Sequence, residues 1–127
     1  MGRATWLPQV LRDAGLKVEE YPGWRTRGFD PFDPVGVIAH HTAGRCPRGS
    51  LDYVARNNLA QILLDCNGVY VVVGSGRMNH GGKGSWLGVA GNSRWIGIEA
   101  EHPGTHAAPW PQVQLDAYHR GVAAILK

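Results

Sequence analysis

At 127 residues the chain has room for one domain, and 43% hydrophobic against 18% charged residues is the balance of a folded core, not of a disordered tail. The net charge of +3 comes from scattered basic residues, with only Arg25 and Arg27 close together near an aromatic, so no stripe suits a phosphate backbone and no nucleic-acid partner is expected. The apolar runs are only a few residues long, which excludes a membrane-spanning segment, and Met1-Gly-Arg-Ala-Thr-Trp6 lacks the apolar stretch of a signal peptide, so synthesis in the cytoplasm is expected.

In chain order, Thr5 is placed to cap a first helix, Pro8 suits its first turn, Val10, Leu11 and Ala14 share a face, and Gly15 ends it. Tyr21 to Pro34 is a turn-rich connection punctuated by Pro22, Gly23, Gly28 and Pro31. Val35 to Ala39 then forms a buried strand that ends at His40, His41 and Thr42. Ser50 is placed to cap a short helix through Leu51, Val54 and Ala55. Ile62 to Asp65 and Val69 to Val73 are β-rich runs joined through Cys66-Asn67-Gly68, and the Asn-Gly pair marks a hairpin. From Gly74 to Gly91 seven glycines accompany His80 and Trp86, which predicts a long loop that is either functional or mobile. Trp95 to Glu101 returns to strand character, with Trp95, Gly97 and Glu99 on one face and Ile96, Ile98 and Ala100 on the other. Pro111 opens a last helix whose Leu115, Tyr118, Val122 and Leu126 form an apolar stripe. No internal repeat is visible. The sum is an α/β domain, a central mixed β-sheet flanked by helices.

His40 and His41 stand at the end of an apolar strand, where α/β domains tend to expose functional groups. Adjacent residues on a strand point to opposite faces, so one of the two is suited to a given metal and the other to the backbone or a supporting partner. Glu99 sits in a strand among isoleucines, where a carboxylate is costly without a partner or a purpose; near a metal it is a candidate general base, and otherwise it is a solvent-facing residue of an alternating strand. His80, between Asn79 and two glycines, is a weaker candidate for contact with a ligand. His102 and His106 have i, i+4 spacing, but Pro103 and Gly104 between them argue against a helix and for a surface loop. Cys46 and Cys66 form no CxxC pair; one disulfide is possible, but a cytoplasmic origin argues for two structural thiols. HExxH, GxSxG and Walker-type motifs are absent.

Four ordered segments resemble the N-acetylmuramoyl-L-alanine amidase family, which includes phage endolysins and peptidoglycan recognition proteins. They are Val37-Ile-Ala-His-His-Thr-Ala-Gly44, Asn58-Leu-Ala-Gln-Ile-Leu-Leu-Asp-Cys-Asn-Gly-Val-Tyr70, Asn79-His-Gly-Gly82 and Gly91-Asn-Ser-Arg-Trp-Ile-Gly-Ile-Glu99. Leu11 to Val18 and Pro22 to Arg27 are similar to the leader of endolysins from phages of actinobacteria. The resemblance implies an amidase-like fold and zinc-dependent cleavage of the amide between N-acetylmuramic acid and L-alanine, carried out by a monomer on bacterial peptidoglycan. It implies zinc on His40, Glu99 as the base, and His41, Thr42, His80 and Asn92 shaping the substrate groove. Where some members place a tyrosine near the zinc, this chain has Ala60, which puts more weight on Glu99. The family's second histidine, lysine and third zinc ligand follow the last helix, whereas this chain stops at Lys127. A single amidase-like domain over residues 1–127, incomplete at its C-terminus, is therefore expected; completion of the site by His102, His106 or Cys46 is the less favoured alternative. A non-catalytic peptidoglycan-binding module is the rival function. Without a signal peptide, the protein is expected to be made in the host bacterium's cytoplasm and to reach the wall after release.

Overall fold

A computed structural model describes residues 2–42, 44–79, 85–86, 89–90, 94–104 and 109–127. The elements are α1 (Leu7–Asp13), β1 (Lys17–Glu20), β2 (Gly36–His41), α2 (Leu51–Arg56), β3 (Ile62–Leu64), β4 (Val69–Val72), β5 (Ser85–Trp86), β6 (Val89–Ala90), β7 (Trp95–Ala100) and α3 (Gln112–Ile125). Five strands form one sheet in the order β1-β4-β3-β7-β2. Within this sheet only the β3–β4 pair is antiparallel; β1 runs parallel to β4, and both β3 and β2 run parallel to β7. The expected mixed α/β sheet is present, and its parallel arrangement brings the carboxyl ends of β2, β3 and β7 to one side.

The hairpin follows from its turn. Asp65 is almost fully buried, and its Oδ1 accepts the N–H groups of Asn67 and Val69, both at 2.9 Å, while Gly68 takes a left-handed φ of +82°. On one face of the sheet Ile62, Leu64, Tyr70, Val72, Ile96 and Ile98 pack against Leu7, Leu11, Ala117 and Ile125 of the helices. On the other face a smaller cluster joins Leu63 to Val54 and Ala60. The alternation expected for β7 is seen in its register. Ile96 and Ile98 enter the larger core, whereas Gly97 and Glu99 pair with Ile38 and His40 of β2.

Several expectations are corrected. The residue capping α1 is Trp6, not Thr5, with no side-chain cap, and the buried face is Leu7, Pro8 and Leu11. β1 carries no sequence signal, because its pattern is charged and only Val18 packs on the core; the charges suit the edge position it occupies. Within the glycine-rich stretch, β5 and β6 pair as an antiparallel hairpin, too short for alternation to reveal. On α3 the buried positions are Gln114, Ala117, Gly121 and Ile125, and Leu126 is 58% exposed. The helix lies so close to Tyr70 that its centre is built from small residues, and the large apolar ones flank it. Tyr70 Oη donates to the Ala117 carbonyl at 2.7 Å, and a Cβ on Gly121 would collide with the tyrosine ring.

Cys46 and Cys66 are joined as a disulfide with a Cα–Cα separation of 5.9 Å, not held as two thiols. Twenty residues of sequence separate them, but the fold lays the loop after β2 over the β3–β4 turn. Arg48 fastens the same loop, with a bidentate pair to Glu19 at 2.7 and 2.8 Å and a bond to Asp65 at 3.0 Å.

Candidate active site

β7 lies between β2 and β3, so Glu99 is flanked in register by His40 on one side and Leu63 on the other. Neighbouring strands in a sheet stand about 4.8 Å apart, which makes His40 and Glu99 adjacent side chains on one face. Glu99 is half-buried, and burial alone pushes its carboxyl up to about 7, into the range where it can both accept and return a proton near neutrality. Burial, reinforced by the neighbouring His41, lowers the His40 pKa below its ordinary value. His40 is thus held neutral, the form in which an imidazole binds a metal.

His41 points to the opposite face, in register with Ala100. Its ring packs over Gly104, where both a φ of +80° and the close approach of the imidazole require glycine. Beside it opens a cavity of about 360 Å³ lined by Ala39, His40, His41, Trp110 and Tyr118. Burial, with the charge of Glu99 as a smaller cause, pushes the Tyr118 hydroxyl up to about 12, so it stays a proton donor. Thr42 Oγ1 accepts the Gly44 N–H at 2.9 Å and shapes the loop that follows the histidines. His80 and Asn92, also expected at the groove, lie outside the described residues, as does His106. A larger cavity of about 420 Å³ lies at the other end of β2, between Trp6, Val35 and Leu126, remote from the paired histidine and glutamate.

The donor chemistry at His40 and Glu99, a neutral imidazole beside a carboxylate, suits zinc. Among the described residues, however, no third histidine, cysteine or acidic group gathers with them. His102, expected on a surface loop, is only 3% exposed; its ring stacks on Trp110 with centroids 3.9 Å apart, and its Nδ1 accepts the Gly104 N–H at 2.8 Å. Cys46 is committed to the disulfide and offers no thiolate.

The sequence pattern of N-acetylmuramoyl-L-alanine amidases matches residues 30–127, which take in every element from β2 onward. The chain belongs to the N-acetylmuramoyl-L-alanine amidase family. No curated protein gives a significant match to it. In this chain, α1 and β1 lie ahead of the matched region, and the paired His40 and Glu99 lie within it.

Residue-level reasoning missed three supports of the candidate site. Gln61 is fully buried; its Oε1 accepts the Gly97 N–H at 2.7 Å and its Nε2 donates to the Gly76 carbonyl at 2.9 Å, fixing β7 two residues before Glu99. Gln114, also fully buried, donates to the carbonyls of Leu64 at 3.3 Å and Glu101 at 2.9 Å, tying α3 to the ends of β3 and β7. Trp110 walls the cavity beside His41. A glutamine inside an apolar run was the available signal for Gln61. For Trp110, only the fold brings the residue to the histidines.

Proposed function

We propose that this family member hydrolyses the amide between N-acetylmuramic acid and the L-alanine of the stem peptide with the help of zinc, and so dissolves bacterial cell walls. The observation that carries the reading is the lateral pairing of His40 and Glu99, with the imidazole kept neutral and the carboxyl raised to about 7. His40 would hold the metal through its imidazole. When bound there, zinc supplies Lewis-acid activation of a water and of the scissile carbonyl. Glu99 takes the proton that the attacking water gives up as the new C–O bond forms. It then passes that proton to the departing L-alanine amine as the C–N bond breaks; the lactyl carboxylic acid so formed releases its remaining proton to solvent, leaving a carboxylate and a free amino group. His41 and Thr42, with His80 and Asn92, would orient the glycan and peptide on either side. No third donor gathers at His40 among the described residues, so the remaining ligands are proposed to come from a segment following α3, carrying a histidine and a Lys-x-Asp. The enzyme is proposed to work as a monomer, made in a bacterial host and reaching the wall on release.

A chain extended by that segment and incubated with purified walls is expected to clear the suspension and to release free L-alanine amino groups. Clearing without new amino groups, or neither, defeats the proposal. The same donor count favours a second reading, a peptidoglycan-binding module. It predicts that the 127-residue chain co-sediments with walls, unaffected by chelator, and that the extended chain releases nothing.

A further inference from the structure

Cys46, Cys66 and Glu101 gather at the carboxyl ends of β3 and β7, with one ligand atom from each lying within 4.8 Å of the others. Cys46 is exposed, Cys66 is half-buried and Glu101 is 2% exposed. A carboxylate that far from water needs partners, and the fold supplies them to one oxygen only. Glu101 Oε1 accepts the Cys66 N–H at 3.2 Å, whereas Oε2 is buried with no hydrogen bond. Burial pushes the Glu101 carboxyl above its ordinary value, and the backbone N–H groups of Cys66, Arg48 and Gly49, which face the carboxylate, offset part of that rise. A buried carboxylate with an unused oxygen therefore lies against two sulfurs.

We propose that, once the disulfide is reduced, Cys46, Cys66 and Glu101 form a second metal site that takes a thiophilic divalent cation such as zinc. While the disulfide stands, the site is closed. Two thiolates and a carboxylate are an ordinary donor set for zinc, and the exposed side of Cys46 leaves the fourth position to water. In a tetrahedral site the two sulfurs stand about 3.8 Å apart, farther than when bonded, so one must swing outward. Cys46, on the exposed loop between β2 and α2, is placed to do so. The reduction takes two electrons and two protons from an external dithiol, which leaves as its own disulfide. Binding of the cation then expels the two thiol protons. A metal cross-link replaces a covalent one between the same two loops. The site shares no residue with the His40–Glu99 pair, so the inference stands whether or not the amidase reading does.

Cobalt is the probe that separates this site from any other, because only thiolate ligation gives an intense thiolate-to-cobalt charge-transfer absorption. The 127-residue chain is titrated with Co²⁺ after anaerobic reduction and removal of the dithiol, and again in its oxidised form. One equivalent with the charge-transfer band is expected for the reduced chain, displaced by zinc, and none for the oxidised chain. Cys66→Ser should lose the band. Glu101→Gln should bind about tenfold more weakly or worse, the loss expected even for groups that only support a ligand. If reduction alone unfolds the chain, cobalt or zinc should restore its circular dichroism. A reduced chain that neither shows the band nor refolds with metal overturns the proposal, and so does Glu101→Gln binding at unchanged affinity.

Discussion

Glu99 has His40 and Leu63 as its lateral neighbours, and its proton affinity follows from that place. Burial lifts its carboxyl from an ordinary 4.5 to about 7. In the metal-free protein the folded chain holds this proton where the unfolded chain has released it. That contribution to stability is complete below about 4.5 and is lost as pH rises through about 7. His40 works in the opposite sense: its pKa is lowered by burial, so its contribution is present above its ordinary value of 6.5 and is lost as pH falls. Glu99→Gln removes the first effect and leaves the second. The melting temperature of the variant minus that of the parent should become more positive between about pH 4 and about pH 8. A flat difference would show that Glu99 ionises like an exposed carboxylate. In the extended, zinc-loaded enzyme the same substitution should lower kcat by about 10²–10⁴-fold with zinc content unchanged. Full activity in Glu99→Gln would remove the residue from the mechanism.

Among the elements, α3 is the one whose packing is least forgiving. Gly121 lets the helix settle on the fully buried Tyr70, whose hydroxyl is anchored to the Ala117 carbonyl. Gly121→Ala should gain at most about 1 kcal/mol of helix propensity. The clash it creates costs about 1–3 kcal/mol, because the tyrosine has no room to retreat. A net loss of stability is therefore expected in denaturant titrations; a gain would mean that α3 lies farther from the sheet. The loop between β2 and α2 is held by the Cys46–Cys66 disulfide and by Arg48. For a loop of this length the cross-link is worth about 3 kcal/mol, so reduction without metal should lower the free energy of unfolding by a comparable amount and shift the midpoint down. A midpoint that does not move would mean that the Arg48 pairs alone fix the loop.

At the scale of the whole molecule, the parallel strands bring the histidine pair, Glu99, the disulfide and Glu101 to the carboxyl end of the sheet, and the hairpin and α2 frame it. No helix among the described residues is long and apolar enough to cross a membrane. With a net charge of only +3 and basic residues scattered along the sequence, retention on purified walls and none on DNA at moderate salt is expected. Salt-sensitive retention on DNA would point to a basic patch created by the fold.

What the sequence determined alone is the set of segments with a clear period or a clear punctuation. The strand that carries the histidine pair, the Asn-Gly hairpin, the alternation around Glu99 and the last helix are legible because burial on one face forces the spacing of apolar residues, although the first is a half-exposed edge strand, Gly36–His41, and not the expected buried run from Val35 to Ala39. The family is legible for a related reason: several segments must recur in a fixed order to build one site. Only the tertiary structure decided that Lys17–Glu20 forms an edge strand, since it pairs through its backbone and buries little. It alone decided which side of α3 faces inward, because close approach there favours Gly121 and Ala117 over larger apolar residues. It also decided that His102 is buried under Trp110 and that Cys46 meets Cys66. Such contacts join residues distant in the chain, and local spacing carries no record of which distant groups the fold brings together.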